Sequence, residues 1–558
     1  MPEQPRARIL ATALTLAIAA VLGGCSSIPR TGPVTMGGVI KDDITNFTEY
    51  FPEGPTQGAS QTEIMQGFIA AFTGSQNNYE VARSFLSTSI RNSWDPRASV
   101  LIRDGLPTIT QTATDTAQYS FSSTAVVNEN GAYSESNQPV QQTLTFHFVK
   151  EGGEWRISEA PPGIVLSSGI FSSIFQQRTL YFLNKAHNRL VPDIRWFPAR
   201  GTTQTRIVTA LLAGPSPWLQ GAVATAFPEG TQLAPPKSVT MSSGVAQVDL
   251  TSEARKASEA DRELMLVQLQ SSLSNVTPVT VNISVEDSPM VLQGPGANAP
   301  VTNPVVDSRA LIYRDGRFGF YSNGTMTGID GLSDKIAKLK PLAAVVDASH
   351  SYAGVLTEAG VARVTTGSAA GVVIDDRPGL IAPSLDNAGF IWSVPAKQPD
   401  AIRAYDRNGK VHEVTVNVPA HSEIAALDVS RDGARIALYL NTAAGPRLIV
   451  AGISRDDRLA PVSIGEPILD VTAGSGAAID IAWADAYSVA ALSETDALLY
   501  VIGGQSTSLG RPTDGVAIAG GNGRTGLRVL GKDGFIQISR GSSWSTTSVE
   551  AGFIAKQH

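Results

Sequence analysis

The sequence predicts a multidomain chain in which two α+β domains precede an all-β propeller of about six blades. Three observations predict it. Helical spacing gives way to strand alternation between about 59 and 165, and the same switch repeats between about 175 and 292. Beyond about 307, strand-only units recur at roughly 35–48 residues. The length of 558 residues is enough for several cores, and 52 Gly and 33 Pro supply turns for many short strands.

The chain opens with Arg6 and Arg8 ahead of an unbroken apolar and threonine run from Ile9 to Leu22. That is the shape of an export signal, and the run is shorter than the roughly 20 residues a spanning helix needs. It ends at Leu22-Gly23-Gly24-Cys25, which resembles a bacterial lipobox. The resemblance implies residues 1–24 as a lipoprotein signal peptide and Cys25 as the lipidation site, with S-diacylglycerol and N-acyl chains (palmitate among them). Cys25 is also the only cysteine, so the chain cannot form an internal disulfide and its domains must rest on their cores. Two or more acyl chains, at about 0.8 kcal/mol per buried methylene, make a stable anchor on the outer face of a cell membrane. Residues 25–58, with Pro29, Pro33 and Gly32, read as a lipidated N-terminus and tether.

Composition narrows the partners. Charged residues are 17% and the net charge is −7, which gives no electrostatic footprint for nucleic acid and no basic patch for anionic lipid.

In the first α+β unit, 59–165, Ser60-Gln61-Thr62-Glu63 forms a capping box, and Ile64, Phe68 and Phe72 mark one helix face up to Gly74. A second helix carries Tyr79, Ala82, Phe85 and Leu86 on one side. Strands begin at about 107, Leu144, Phe146 and Phe148 alternate with polar residues, and Glu154-Trp155-Arg156-Ile157 opens the last strand. The order resembles an NTF2-like or cystatin-like domain, folds that often carry a cone-shaped pocket.

Pro161-Pro162-Gly163 separates the second unit, 175–292. A strand at Thr179–Leu183, a helix at Thr205–Leu212, a strand at Val245–Leu250, a helix at Leu264–Leu273 and a strand at Val279–Val285 follow in turn. The segments L-L-A-G-P, F-P-E-G-T, V-A-Q-V-D-L and V-T-V-N-I-S-V, in that order, resemble the GerMN domain. That is a cell-envelope and sporulation module of exported lipoproteins, which implies a non-catalytic role.

Residues 293–306 read as a linker, with Pro295, Pro300 and Pro304 among small residues, and 307–558 as the propeller, without helices. Its units start at Ser308, Leu342, Leu380, Ile424, Ile479 and Gly515, each an aliphatic strand, a polar turn and a second strand. Asn408-Gly409 reads as the turn of a further hairpin.

Chemical motifs are sparse. The six histidines, His147, His187, His350, His412, His421 and His558, show no zinc-hydrolase spacing, and His147 falls on the polar side of its strand. Gly521 to Gly526 matches G-x-G-x-x-G, but a strand follows it where a dinucleotide site needs a helix. Asp375-Asp376 and Asp456-Asp457 read as solvated turns, and Asp406 lacks the distant Glu of an EF-hand. The sequence therefore assigns no catalytic residue, no metal ligand and no cofactor.

Taken as a set, with Ile28 to Val34 after the lipobox and Gly54-Pro55-Thr56 before the first helix, these parts resemble the actinobacterial LpqB lipoprotein family. The resemblance implies a non-enzymatic accessory of the MtrAB two-component system, acting in cell-wall homeostasis and division. Its expected partner is the extracellular domain of an MtrB-like sensor kinase. The alternatives are a lipoprotein that binds cell-wall polymer or glycan, for which aromatic residues along a propeller face would argue, and an envelope enzyme using the first domain's pocket or the propeller's central channel, for which a converging His-Asp or carboxylate pair would argue.

Overall fold

The computed structural model describes residues 51–199, 203–274, 278–294, 296 and 299–558. The expected leader, 1–24, and residues 25–50 of the expected tether lie outside these residues. Among the described residues no helix is long and apolar enough to cross a membrane.

The first domain begins with α1 (Gln61–Ala70), whose capping box is complete: the Ser60 hydroxyl accepts from the Glu63 amide, and the Glu63 carboxylate accepts from the Ser60 amide at 2.7 Å. The helix tightens into a 3-10 turn and stops at Gly74. The second helix is shorter than its periodicity predicts. Only Glu80–Ser84 (α2) is helical, because Asn77, Asn78 and Tyr79 all sit at left-handed φ and block it from behind. The strands β1 (Ser99–Ala113), β2 (Thr116–Asn128), β3 (Tyr133–Glu151), β4 (Glu154–Glu159) and β5 (Ile164–Ser167) form one sheet in the order β4-β3-β2-β1-β5. Strand structure thus starts at Ser99 rather than near 107. A fifth strand, parallel to β1, also follows the one predicted to be last. The expected cone between helix and sheet is filled: Phe68 packs on Phe72 at 4.8 Å and on Trp94 at 5.0 Å, with Phe146 beyond.

After α3 (Ser168–Ile174), the second domain pairs β6 (Phe175–Asn184) with β7 (Leu190–Pro198). Sequence periodicity missed β7, because all nine of its residues are buried and it shows no alternation. Next come α4 (Thr203–Leu212), β8 (Val223–Ala224), β9 (Thr240–Ser242), β10 (Val245–Leu250), α5 (Glu259–Leu273), β11 (Thr280–Val285) and β12 (Ser288–Pro289). Strands β10 and β11 run parallel, and α5 supplies the crossover that parallel pairing requires. Leu266, Leu269 and Leu273 of α5 are buried as predicted.

The propeller has six blades. Each of the six sequence units forms the first two strands of one blade: Ala310–Arg314 with Arg317–Ser322, Ala343–Val346 with Tyr352–Thr357, Ser384–Leu385 with Ile391–Ser393, Glu423–Val429 with Arg435–Thr442, Ala478–Trp483 with Ser488–Ser493, and Gly515–Ala519 with Arg528–Gly531. One short helix, α6 (Ser333–Lys338), interrupts the strands between blades 1 and 2, where none was predicted. Asn408 is not at positive φ, so Asn408-Gly409 is no two-residue mirror-image turn. The Asp406 carboxylate instead accepts from the Asn408 and Lys410 amides, and Gly409 takes the left-handed position. The chain's last strands close the ring. Phe553–Ile554 pairs with the first strand of blade 1, Ala310–Arg314, and Lys556–Gln557 runs parallel to the first strand of blade 2, Ala343–Val346.

Candidate functional site

Cys25, the one residue to which the sequence assigns a function, lies outside the described residues. The other singled-out residues fall into structural roles. His147 faces outward from β3, accepting from or donating to the Thr116 hydroxyl at 3.1 Å and standing 3.8 Å from Glu159. His187, His350 and His421 occupy turns at left-handed φ. Gly521 to Gly526 is a turn ending in a 3-10 segment before a strand, as its context predicts. Asp456 caps its own turn through the Arg458 and Ala460 amides. Asp375 corrects the solvated-turn reading: it is buried, chelates the Arg377 guanidinium with both oxygens, and accepts from the Ser393 hydroxyl at 2.8 Å. Burial pushes its carboxyl up, but these donors outweigh it and hold Asp375 below the ordinary carboxylate value.

The centre of the ring holds a cluster that sequence reasoning missed. The Asp428 carboxylate, from the inner strand of blade 4, accepts from Ser384 of blade 3 at 3.1 Å and from the Trp483 amide of blade 5 at 3.1 Å. It also meets His558 Nε2 at 3.0 Å. The Asp480 carboxylate accepts from the Ile518 amide of blade 6 at 2.9 Å and from Lys556 Nζ at 2.9 Å. Two aspartates and the chain's last residues thus tie the blades together across the middle. Burial pushes Asp428 up, but Lys556, His558 and the Trp483 amide more than compensate and hold its carboxyl below the ordinary value. Burial likewise pushes Lys556 down, and Asp480 and Asp428 reverse the effect and raise it. The His558–Asp428 pair is the geometry an enzyme would need, yet its side chains are only 4% and 3% exposed. The imidazole meets protein, where a catalytic base must meet substrate. Among the described residues no group of three or more His, Cys, Asp or Glu is placed to hold a metal ion.

A second cluster joins the domains. The Asp193 carboxylate of β7 accepts from Arg195 at 2.8 Å and from the Ser216 amide and hydroxyl at 2.9 and 2.8 Å. Arg195 in turn donates to the Asn130 carbonyl of the first domain at 2.7 Å. On the other side of the second domain, Tyr181 and Tyr487 hydroxyls meet at 2.6 Å, Trp196 Nε1 donates to the Gly503 carbonyl at 2.9 Å, and Asn184 donates to the Asp432 carbonyl at 3.0 Å. The second domain is therefore seated on blades 4 and 5 by buried and half-buried polar contacts. A cavity of about 530 Å³ opens between it and the first domain.

Comparison with known proteins agrees with this partition. Residues 54–172 match the model of the LpqB lipoprotein N-terminal domain, and 316–552 match that of the LpqB β-propeller domain. Residues 179–291 match the sporulation and spore germination model named Germane. Lipoprotein LpqB of Cutibacterium acnes is 30% identical over a stretch covering 48% of this chain and 45% of that one. Lipoprotein LpqB of Thermobifida fusca is 25% identical and the match covers 91% of this chain and 92% of that one. Among solved structures, TolB from Acinetobacter baumannii overlaps 43% of this chain and 64% of its own at 12% identity and a TM-score of 0.32. With N-terminal, germination-type and propeller domains matched in order, and a relative aligned almost end to end, the chain belongs to the LpqB lipoprotein family.

Proposed function

We propose that this envelope lipoprotein is held to the outer face of the cell membrane through Cys25. There it acts as a non-catalytic accessory of an MtrAB-type two-component system, contacting the extracellular domain of the sensor kinase. One observation carries the reading: the ring centre, where a propeller enzyme would work, is occupied by the chain's own Lys556 and His558 bound to Asp480 and Asp428. What remains available is the outer surface of three mutually packed domains and the cavity between the first two, which is the equipment of a recognition protein. Anchoring supplies what a weak contact lacks, a high effective concentration of the two partners in one membrane plane. To change signalling, the chain must bind the kinase's active and inactive states with different affinity.

The glycan-binding alternative has less support. Every described Phe, Tyr and Trp of the propeller is buried or half-buried, so no aromatic face is presented for stacking on sugar rings.

Co-reconstitution of the full lipidated chain with the sensor kinase in liposomes tests the proposal. Kinase autophosphorylation is expected to change with the wild-type chain and to return to baseline when Cys25→Ala protein is added at the same bulk concentration. An unchanged rate with the lipidated chain would refute the accessory role, and an equal effect of Cys25→Ala would refute the tethering.

A further inference from the structure

The cavity between the first two domains is lined by three cationic side chains from three separate segments. Arg97 precedes β1, Arg206 lies in the first turns of α4, and Lys237 follows Pro236. Glu129 is the single carboxylate in the lining, so the wall carries a formal excess of two positive charges in a chain whose net charge is −7. Among the described residues none of the three cations has a carboxylate within ion-pair distance, and Asp95, the nearest acid in sequence, accepts from the Arg97 backbone amide. Burial pushes Arg206 below its ordinary value, and the charge of Arg97 adds to the effect. Burial pushes the neighbouring Tyr79 hydroxyl up to about 12, against the pull of Arg206 and Arg97. Arg206 is thus partly desolvated, feels the like charge of the exposed Arg97, and has no carboxylate at ion-pair distance, an arrangement that costs stability and that an anion would relieve.

Backbone strain falls on the same lining. Tyr79 (φ 61°) and Lys237 (φ 59°) are both non-glycine residues in the left-handed region, and both line the cavity. Another part of the lining is fixed in advance. The Trp196 amide donates to the Gly131 carbonyl at 2.7 Å, and a Cβ on Gly131 (φ 80°) would stand 2.8 Å from the Trp196 carbonyl oxygen. The turn of the first domain is therefore locked against β7, and the site needs no large rearrangement to receive a ligand. Phe197 and Val127 give the same lining an apolar side.

We propose that this junction cavity binds a small organic dianion, a phosphate monoester or a dicarboxylate, with its charged head between Arg206 and Arg97 and its apolar body toward Phe197 and Val127. The charge excess of two matches a dianion. Planar guanidiniums suit the forked oxygens of phosphate and carboxylate alike. The proposal stands independently of any effect on a kinase.

Calorimetric titration of the full chain in detergent micelles tests it, with phenyl phosphate and phthalate as probes and benzyl alcohol as the neutral control, all at fixed ionic strength. At least one dianion is expected to bind saturably at one site per chain, with benzyl alcohol inert. The tighter of the two identifies the preferred head group. Arg206→Gln is expected to weaken binding by about tenfold or more, the loss of a charge-assisted contact. Arg97→Gln alters an exposed side chain and should weaken binding without disturbing the fold, whereas Arg540→Gln, remote on blade 6, should leave it unchanged. Absence of saturable binding by either dianion would overturn the proposal. So would binding that Arg206→Gln and Arg97→Gln leave untouched, which would mark contacts elsewhere on the surface.

Discussion

Asp428 receives hydrogen bonds from three directions in the ring centre and has almost no contact with water. Its charged form is the one these donors require, so its carboxyl titrates below the ordinary 3.8 when folded. As pH falls, the unfolded chain takes up this proton first. The stabilisation is therefore complete above about pH 4 and is lost as pH drops through the lower folded value. Lys556 works in the opposite sense: raised above 10.5, it contributes fully below that value and loses its contribution as pH climbs past the folded one. Between these limits the cluster is intact. Asp428→Asn keeps the shape and removes the charge, so it should lower the unfolding temperature at pH 7, and the gap to wild type should narrow as pH falls below 4. Unfolding temperatures of both proteins from pH 2.5 to 7 check this, and a gap that stays constant would mean that the charge of Asp428 is irrelevant.

The final strands show how much a short element can carry. Phe553–Ile554 and Lys556–Gln557 are two-residue strands, yet they bridge blades 1 and 2, and the Ala555 amide between them donates to the Leu311 carbonyl at 2.8 Å. Ala555→Pro removes that donor and leaves a buried carbonyl unpaired, a cost of about 1–3 kcal/mol. Denaturant unfolding should show a loss of that size, and an unchanged midpoint would mean the tail is not part of the folded ring's stability. Such elements are illegible in sequence because their partners lie at the far end of the propeller. The first two strands of each blade were readable for the opposite reason: an aliphatic run, an Asp or Gly turn and a second run form a local hairpin. Strand β7 escaped because burial on both faces erases alternation, and Pro192, Asp193 and Arg195 look like loop residues until the Asp193–Arg195 pair is seen buried. The junction cavity left no signal either, since Arg97, Arg206 and Lys237 are distant in sequence and each alone reads as a solvated surface charge. Cys25 lies outside the described residues and rests on the sequence alone, where an apolar leader ending in Leu22-Gly23-Gly24-Cys25 is a purely local signal.

At the scale of the whole molecule, the second domain and the propeller share more than hydrogen bonds. Trp218, Leu219 and Ala222 of the second domain lie in one apolar cluster with Tyr439, Leu448 and Val450 of blade 4 and Trp483 of blade 5. The approach is close enough that a Cβ on Gly452 of blade 4 would stand 2.7 Å from the Trp218 carbonyl oxygen. A core that spans two domains makes their unfolding interdependent, because neither can open without exposing the other's apolar surface. Removing the indole in Trp218→Ala should cost about 3–5 kcal/mol, the usual range for a buried aromatic truncated to Ala. It should also uncouple the two bodies, so that a single calorimetric transition covering second domain and propeller in the wild type separates into two. If the wild type already melts in two separate steps and Trp218→Ala leaves the propeller step unmoved, the shared cluster does not couple them. Coupling of this kind bears on function. Under the proposed function, a ligand in the junction cavity can influence a partner docked on another domain only if the domains respond together, and the Trp218 cluster, with the Tyr181–Tyr487 and Trp196–Gly503 hydrogen bonds, is the physical path by which they would.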